Sequence, residues 1–308
     1  MATPVASHIW LDGRLVPSDG PHISVYDRGF QIGDGVFEAL RARRGVAIEL
    51  GGHLARLRRS LRALDIQLDL SDETLTGGMA DLLAAEGWDG IEPAGDAAVR
   101  ITVSRGPQAS RGLIPSAGVA ATTVIQAWPH TPPAPEVVGA GQRFIFSAVR
   151  RDPSSPMAGV KTTSRAELVY ARIEAQKAGA DDAIFLTADG RVTEATTANI
   201  LLIRGDVCAT PRLEAGILEG TTRAWLVGHG DAVGLRMVEE DIRPTDLMAA
   251  DEVASCSSVA GVMPIVSLDG KPIGGGKPGL RTMAMREARE RWIDAVSIDG
   301  THARLPGA

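Results

Sequence analysis

The chain has 308 residues, 44% of them hydrophobic, which is enough for two cores. Its formal net charge is -6 and no basic patch dominates, which argues against a nucleic-acid partner. No segment approaches the roughly 20 apolar residues of a membrane span, and no basic region leads into an apolar run near Met1, so neither a membrane anchor nor a signal peptide is expected.

His8 to Leu11 and Arg14 to Val16 flank Asp12-Gly13, a hairpin signal. Between Tyr26 and Arg41, Gly29, Gly33 and Gly35 are expected to break any helix, and Val36 to Arg41 reads as a strand. Val46 to Leu50 is expected as a further strand. A helix is predicted from His53 to Leu64, with Leu54, Leu57, Leu61 and Leu64 on one face and Arg56, Arg59 and Arg62 on the other. Ser71 caps a second helix from Asp72 to Ala85, with acids in its first turn. Ala98 to Ser104 and Ala120 to Ala127 read as strands.

Pro129, Pro132, Pro133 and Pro135 mark residues 128–137 as a linker, since proline suits neither a helix interior nor a central strand. The expected division is a domain over 1–127 and a second over 138–308. The second opens with a strand from Phe144 to Val149. A helix from Ser164 to Lys177 follows, with a capping box of Ser164 and Glu167 and a stop at Gly179. Strands are expected at Ala183 to Thr187, Arg191 to Thr193, Asn199 to Ile203, Leu235 to Val238, Glu252 to Cys256 and Val262 to Leu268. Helices are expected from about Thr221 and from Pro278 to Val296. The fold class is α/β of the α+β kind, with mixed sheets and flanking helices. Cys208 and Cys256 make neither a disulfide framework nor a metal signature, so a reduced, cytoplasmic protein without a metal is expected.

Only four lysines occur, Lys161, Lys177, Lys271 and Lys277, and every other basic position is arginine. Lys177 closes a helix and the last two sit in a Gly/Pro-rich turn, so each has a structural explanation. Lys161 follows a Pro/Ser/Gly loop and precedes a helix start. Arginine could supply charge there but cannot lose a proton, whereas Schiff-base chemistry needs an amine that can. A functional and a structural Lys161 remain open on this ground. Leu218 to Arg223 turns into a helix with Thr221 and Thr222 at its start, which is either an anion site or an ordinary cap. Ser257 and Ser258 end a strand beside Val259 and Ala260, as a second anion contact or a polar turn. Arg56 could reach an anion or be one more solvated arginine. Glu194, at a strand end, could hold a pyridinium N–H or be exposed.

The run from Lys161 to Arg223 resembles the core of the class IV, fold-type IV pyridoxal-phosphate aminotransferases. The resemblance rests on Lys161, Glu174-Ala175, Gly179 to Ala183, Val192 to Glu194, Asn199, Thr210-Pro211 and Gly220 to Arg223, in that order. It extends through Asp27 to Glu38 and His53 to Leu57, and covers nearly the whole chain. It implies that pyridoxal 5'-phosphate is the cofactor and that Lys161 is the covalent link and proton carrier. Glu194 is then the ring-nitrogen partner, and Arg56, Thr221, Thr222 and Ser258 hold the phosphate, with Ser257 beside them. Leu218, Thr197 and Asn199 would line the cofactor. Apart from the resemblance, Ile32 and Phe37 are candidate pocket walls or core residues, Val259 and Ala260 candidate substrate contacts, and Arg41 and Arg111 candidate carboxylate clamps or surface residues.

The family includes D-amino-acid and branched-chain aminotransferases, (R)-amine transaminases and aminodeoxychorismate lyase. The tyrosine that branched-chain enzymes carry five residues after the lysine is Ala166 here. The Arg-x-His pair of the D-amino-acid enzymes appears as Arg111-Gly112-Leu113, without the histidine. The lyase shares Arg165 and Arg111, yet its threonine two residues after Phe37 is Ala39. The expected activity is transfer of an amino group from an amino acid, D-amino acid or (R)-amine to a 2-keto acid. The alternatives are the pyruvate-releasing lyase and a branched-chain L-amino-acid aminotransferase. Similar enzymes are homodimers, with the site between the domains and the segment from Ser104 to Pro115 reaching the neighbouring subunit. Loss of Lys161 or Glu194 would mark an inactive scaffold, and both are present.

Overall fold

The computed structural model describes residues 6–89, 96–110 and 112–299. Those up to Thr131, with Val160–Arg165 and the residues from Ile293, form one unit, and Pro132–Gly159 with Ala166–Trp292 form another. The first unit is built on β1 (His8–Leu11), β2 (Arg14–Pro17), α1 (Arg28–Ile32), β3 (Gly35–Arg43), β4 (Val46–Ala47), α2 (Leu50–Ala63), α3 (Asp72–Ala85), β5 (Asp96–Ser104) and β6 (Thr122–Pro129). Its sheet runs β2-β1-β6-β5-β3-β4, with each pair antiparallel.

Period-two alternation sorts the side chains of that sheet. Val36 and Leu40 of β3, Val99 and Ile101 of β5 and Ile125 of β6 pack with Leu54, Leu57 and Leu61 of α2 and Leu75, Met79 and Leu82 of α3. Each such side chain contributes about 2 kcal/mol by leaving water. Gly78 lets α3 approach Trp10, because a Cβ there would stand 2.3 Å from the indole. Phe37 and Ala39 alternate onto the other face, opposite Thr102 and Arg100 of β5.

Two expectations for this unit change. The glycines between residues 26 and 35 do not prevent a helix. Asp27 caps α1 by accepting from the Gly29 and Phe30 N–H groups, and Gly33 ends it in the left-handed region at φ 69°. The strand expected to Leu50 stops at Ala47, because Glu49 turns the chain at φ 56° and Leu50 already opens α2.

The second unit contains α4 (Pro135–Ala140), β7 (Gln142–Arg151), α5 (Ala166–Lys177), β8 (Asp182–Thr187), β9 (Val192–Ala195), β10 (Asn199–Arg204), β11 (Val207–Pro211) and α6 (Thr221–His229). It continues with β12 (Arg236–Glu240), α7 (Pro244–Met248), β13 (Glu252–Ser257), β14 (Gly261–Leu268), β15 (Lys271–Pro272) and α8 (Leu280–Asp299), whose residues from Ile293 group with the first unit. The strands run β12-β11-β10-β13-β14-β7-β8-β9, with β15 on β14. β7 is parallel to β8 and β14, and β11 is parallel to β12. The apolar run of β10 is buried on both faces. Leu201 and Ile203 pack with Trp225 and Leu226 of α6, while Ile200 and Leu202 pack with Ile242 and Leu247.

Further differences appear in this part of the chain. Pro135 starts α4 inside the expected linker, since proline tolerates the first helical turn. β11 and α7 were not expected. Ser164 is not part of a capping box: α5 begins at Ala166, and the Ser164 hydroxyl donates to the Gly33 carbonyl at 3.1 Å.

Candidate active site

In the first unit the backbone around Lys161 is strapped onto β3. Phe37 N–H donates to the Lys161 carbonyl at 3.0 Å, and Thr163 N–H donates to Gly35 O at 2.9 Å. The Lys161 N–H donates to Ser60 Oγ of α2 at 3.3 Å. The Thr163 hydroxyl donates to Gly33 O at 2.8 Å. Glycine suits position 35, because a Cβ would stand 2.7 Å from Val103 O and 3.2 Å from Thr163 Oγ1. The strap is thereby fixed by backbone bonds, while the lysine side chain stays half-buried.

Three cations converge on the Phe37 ring. Arg100 Cζ lies 3.8 Å from its centroid, Lys161 Nζ 4.9 Å and Arg165 Cζ 5.3 Å. Each gains from the negative face of the ring. Burial, and next the charge of Arg165, push the Arg100 guanidinium below its ordinary pKa. The cluster favours an anion that would neutralise it.

On the core face of β3, Glu38 is fully buried between two residues of α2. Arg56 Nε donates to its Oε1 at 2.8 Å and Arg56 Nη2 to its Oε2 at 2.7 Å. His53 Nδ1 lies 2.8 Å from Glu38 Oε2. Burial works to raise the Glu38 carboxyl, but the hydrogen bonds from Arg56 and His53 overcome it and bring it to about 2. Burial also holds His53 below its usual pKa, more strongly than Glu38 raises it. His53, Arg56 and Ser60 therefore form one polar edge of α2 that grips β3 and the Lys161 strap.

In the second unit Glu194 of β9 accepts from the Leu218 N–H at 2.9 Å. Asn199 Nδ2 reaches Glu194 Oε2 at 3.4 Å and donates to the Leu218 carbonyl at 2.9 Å. Asn199 thus joins the carboxylate to the turn that opens α6. That turn needs Gly220, where a Cβ would stand 2.0 Å from Asn199 Oδ1. α6 has no side-chain cap at Gly220 and no acid in its first turn. The Thr221 and Ser258 hydroxyls share a hydrogen bond of 3.0 Å. Thr222 Oγ1 is buried and has no hydrogen-bond partner among the described residues. A buried orphan hydroxyl costs free energy unless something fills it. With the first-turn N–H groups it makes a donor set suited to a phosphate.

The remaining expected residues are less engaged. Thr197 is exposed in the bend after β9. Ser257 Oγ accepts from Ala260 N–H at 3.3 Å, and half-buried Val259 and exposed Ala260 complete the turn between β13 and β14. Ile32 is 47% exposed at the end of α1. Arg41, expected as a carboxylate clamp, is buried and donates to Asp96 Oδ2 at 2.8 Å, an internal ion pair rather than an open clamp. Arg111 lies outside the described residues. Lys271 and Lys277 are exposed. Sequence reasoning missed Arg100, Glu38 and His53. Glu38 stands beside Phe37 in a strand, where a charged residue at an inward position was the available signal. Among the described residues no group of His, Cys, Asp and Glu could hold a metal ion.

The family model for class IV amino-transferases matches residues 35–268. A putative branched-chain-amino-acid aminotransferase of Methanocaldococcus jannaschii is 32% identical over 92% of this chain and 97% of its own. A D-alanine aminotransferase of Bacillus licheniformis is 30% identical over 92% of this chain and 96% of its own. The crystal structure of a branched-chain aminotransferase from Thermoproteus uzoniensis with norvaline superposes with a TM-score of 0.83 at 29% identity, covering 94% of this chain and 95% of that one.

Proposed function

The chain belongs to the class IV aminotransferase family, and on that premise we propose how its own residues divide the work of transamination. It is a pyridoxal-phosphate-dependent aminotransferase of fold-type IV. When bound, the cofactor supplies an electron sink for the charge left at the substrate α-carbon. Lys161 Nζ would be the group that holds the cofactor by its aldehyde carbon, and as a free amine it would carry the proton to and from the substrate α-carbon. Glu194 would hold the ring-nitrogen proton in place, its carboxylate oriented by Leu218 N–H and Asn199. Thr221, Thr222, Ser258 and the first N–H groups of α6 would hold the phosphate, and Arg56 would be a further cation for it. Arg100 and Arg165 receive substrate carboxylate at Phe37, a place that sequence reasoning had given to Arg41 and Arg111.

One observation carries this reading: the Leu218 N–H that binds Glu194 belongs to the same turn whose following residues present the orphan Thr222 hydroxyl. A ring nitrogen and a phosphate need such partners at a fixed separation.

We place the donor among amino acids, D-amino acids and (R)-amines, and the acceptor among 2-keto acids. Ala39, cross-strand from Arg100, offers no proton donor for elimination. The Arg100 and Arg165 pair favours aminodeoxychorismate lyase as the second reading, because a dianionic substrate would suit two arginines. Incubation with D-amino acids, branched-chain L-amino acids or (R)-1-phenylethylamine, without acceptor, tests the choice. Loss of the visible cofactor band, restored by a keto acid, is expected. No loss with any donor, together with catalytic pyruvate release from aminodeoxychorismate, contradicts it.

A homodimer is part of the same reading. Phe30, Leu113 and Ile114 are 73%, 81% and 87% exposed, a large apolar display for one subunit. Cys208 and Cys256 are buried and not joined to each other, which supports a reducing, cytoplasmic setting. No helix among the described residues is long and apolar enough to cross a membrane.

A further inference from the structure

Asp34 occupies the turn between α1 and β3, and its neighbours on both sides hold the lysine strap. The Gly33 carbonyl accepts from the hydroxyls of Thr163 and Ser164, and the Gly35 carbonyl accepts from Thr163 N–H. The close approach is enforced at Gly33, where a Cβ would stand 2.5 Å from Ser164 Oγ. The Asp34 side chain faces two arginines. Arg28 Nε donates to Oδ2 at 2.7 Å, and Arg105 donates from Nε to Oδ2 at 2.8 Å and from Nη2 to Oδ1 at 3.2 Å. The three side chains are 12%, 5% and 13% exposed in the order Asp34, Arg28, Arg105.

Each arginine spends its other N–H groups on a separate piece of chain. Arg28 donates to the Gly112 carbonyl at 3.0 Å and to the Leu113 carbonyl at 2.7 Å. Arg105 donates to the Asp65 carbonyl at 2.8 Å and the Leu64 carbonyl at 2.6 Å, at the C-terminal end of α2. That helix supplies Ser60 to the Lys161 N–H. A cavity of about 620 Å³ lies between α1 and the loop, lined by Arg28, Ile32, Gly112 and Leu113 among others. The loop tip beyond it exposes Leu113 and Ile114.

We propose that Asp34 is a positioning residue that ties the lysine-bearing strap to the exposed tip at residues 112–114, so that one carboxylate sets both. Without its charge, Arg28 is left nearly buried and unneutralised, which a guanidinium does not tolerate. It swings toward water and releases the Gly112 and Leu113 carbonyls. Arg105 likewise loosens the end of α2, and the Gly33–Gly35 turn loses its anchor under Thr163. Burial works to raise the Asp34 carboxyl, but hydrogen bonds and charge from Arg105 and Arg28 outweigh it and keep it below its ordinary range, so the tie is intact at neutral pH.

The test uses the full chain loaded with cofactor and two variants, Asp34→Asn and Arg28→Lys. Lysine keeps the charge but cannot span Asp34 and two carbonyls at once. Tryptic cleavage after Arg111 under native conditions reads the loop. The pH midpoint of the visible cofactor band reads the lysine, and this second readout rests on Lys161 as the cofactor-bearing residue. In Asp34→Asn, cleavage rises roughly tenfold or more, and the band midpoint moves to lower pH as two arginines lose their counter-charge. In Arg28→Lys, cleavage rises while the midpoint stays. Cleavage within twofold of the parent in either variant overturns the tie to the loop. Equal midpoint shifts in both variants overturn the tie to the lysine. If Asp34→Asn does not fold, Arg28→Lys decides the loop half and Asp34→Glu, with its displaced carboxylate, decides the lysine half by whether the midpoint moves. A covalent adduct mapped away from Lys161 would remove the reading of Lys161 but leave the cleavage result standing.

Discussion

Phe37 holds Lys161 twice: its N–H donates to the lysine carbonyl at 3.0 Å, and its ring lies 4.9 Å from the lysine Nζ. The first contact belongs to the backbone and survives any substitution at 37 except proline. The second is specific to the aromatic ring and is shared with Arg100 and Arg165. The lysine's place and its electrostatic surroundings are therefore separable by mutation.

Phe37→Leu should keep the strap and remove the ring. We expect kcat/KM to fall roughly tenfold, with about 1 kcal/mol of stability lost to the missing ring contacts. Steady-state kinetics beside thermal melts check this, and unaltered kcat/KM would show that the ring only fills space.

Thr222→Val removes the orphan hydroxyl and keeps the shape. Cofactor-free protein should hold its stability or gain slightly, since a buried unsatisfied group is gone. The dissociation constant for pyridoxal phosphate should rise about tenfold, while that for pyridoxal stays put. Fluorescence titration with both aldehydes separates these outcomes; equal weakening of both would place the phosphate elsewhere.

The Glu38, Arg56 and His53 cluster predicts acid lability. Glu38 has its pKa depressed to about 2 in the fold, so its contribution is complete above the unfolded carboxylate value and disappears as pH falls toward 2. His53 is also depressed, so stability linked to it is present above the unfolded histidine value and is lost as pH drops below it. Both push the same way. The Glu38 part amounts to about 3 kcal/mol at neutral pH. Urea unfolding from pH 7 to pH 3 should show a fall that Glu38→Gln flattens; a parallel curve for the variant would contradict it.

Arg100→Gln and Arg165→Gln should each raise KM for a carboxylate-bearing substrate at least tenfold and leave a neutral amine donor nearly unaffected, as expected for a lost charge-assisted hydrogen bond. Comparing glutamate or D-alanine with (R)-1-phenylethylamine supplies the contrast. Equal losses for all donors would make the arginines structural.

The parts of the site that depend on local sequence were legible. Lys161 stood out because arginine fills nearly every other basic position, and Thr221-Thr222 stood out because hydroxyls follow a glycine turn at a helix start. The parts that depend on register were not. Arg100 meets Phe37 only because β5 pairs with β3 in a register that places Arg100 opposite Ala39, and no local pattern encodes that pairing. Arg56 read either as an anion ligand or as one more solvated arginine, because it sits across from the leucine face of α2, and its burial against Glu38 had no local signal. Arg41 shows the reverse: its guanidinium fork suited a carboxylate clamp, but Asp96 on the neighbouring strand claims it. The α1 helix was hidden because glycine is a helix breaker in general and a helix terminator at Gly33 in particular.

Borohydride reduction of the cofactor-loaded enzyme followed by peptide mapping tests the role of Lys161 most directly. One covalent pyridoxyl adduct per chain, on Lys161, is expected. An adduct on Lys177, Lys271 or Lys277, or none in a preparation that is active and yellow, would contradict it.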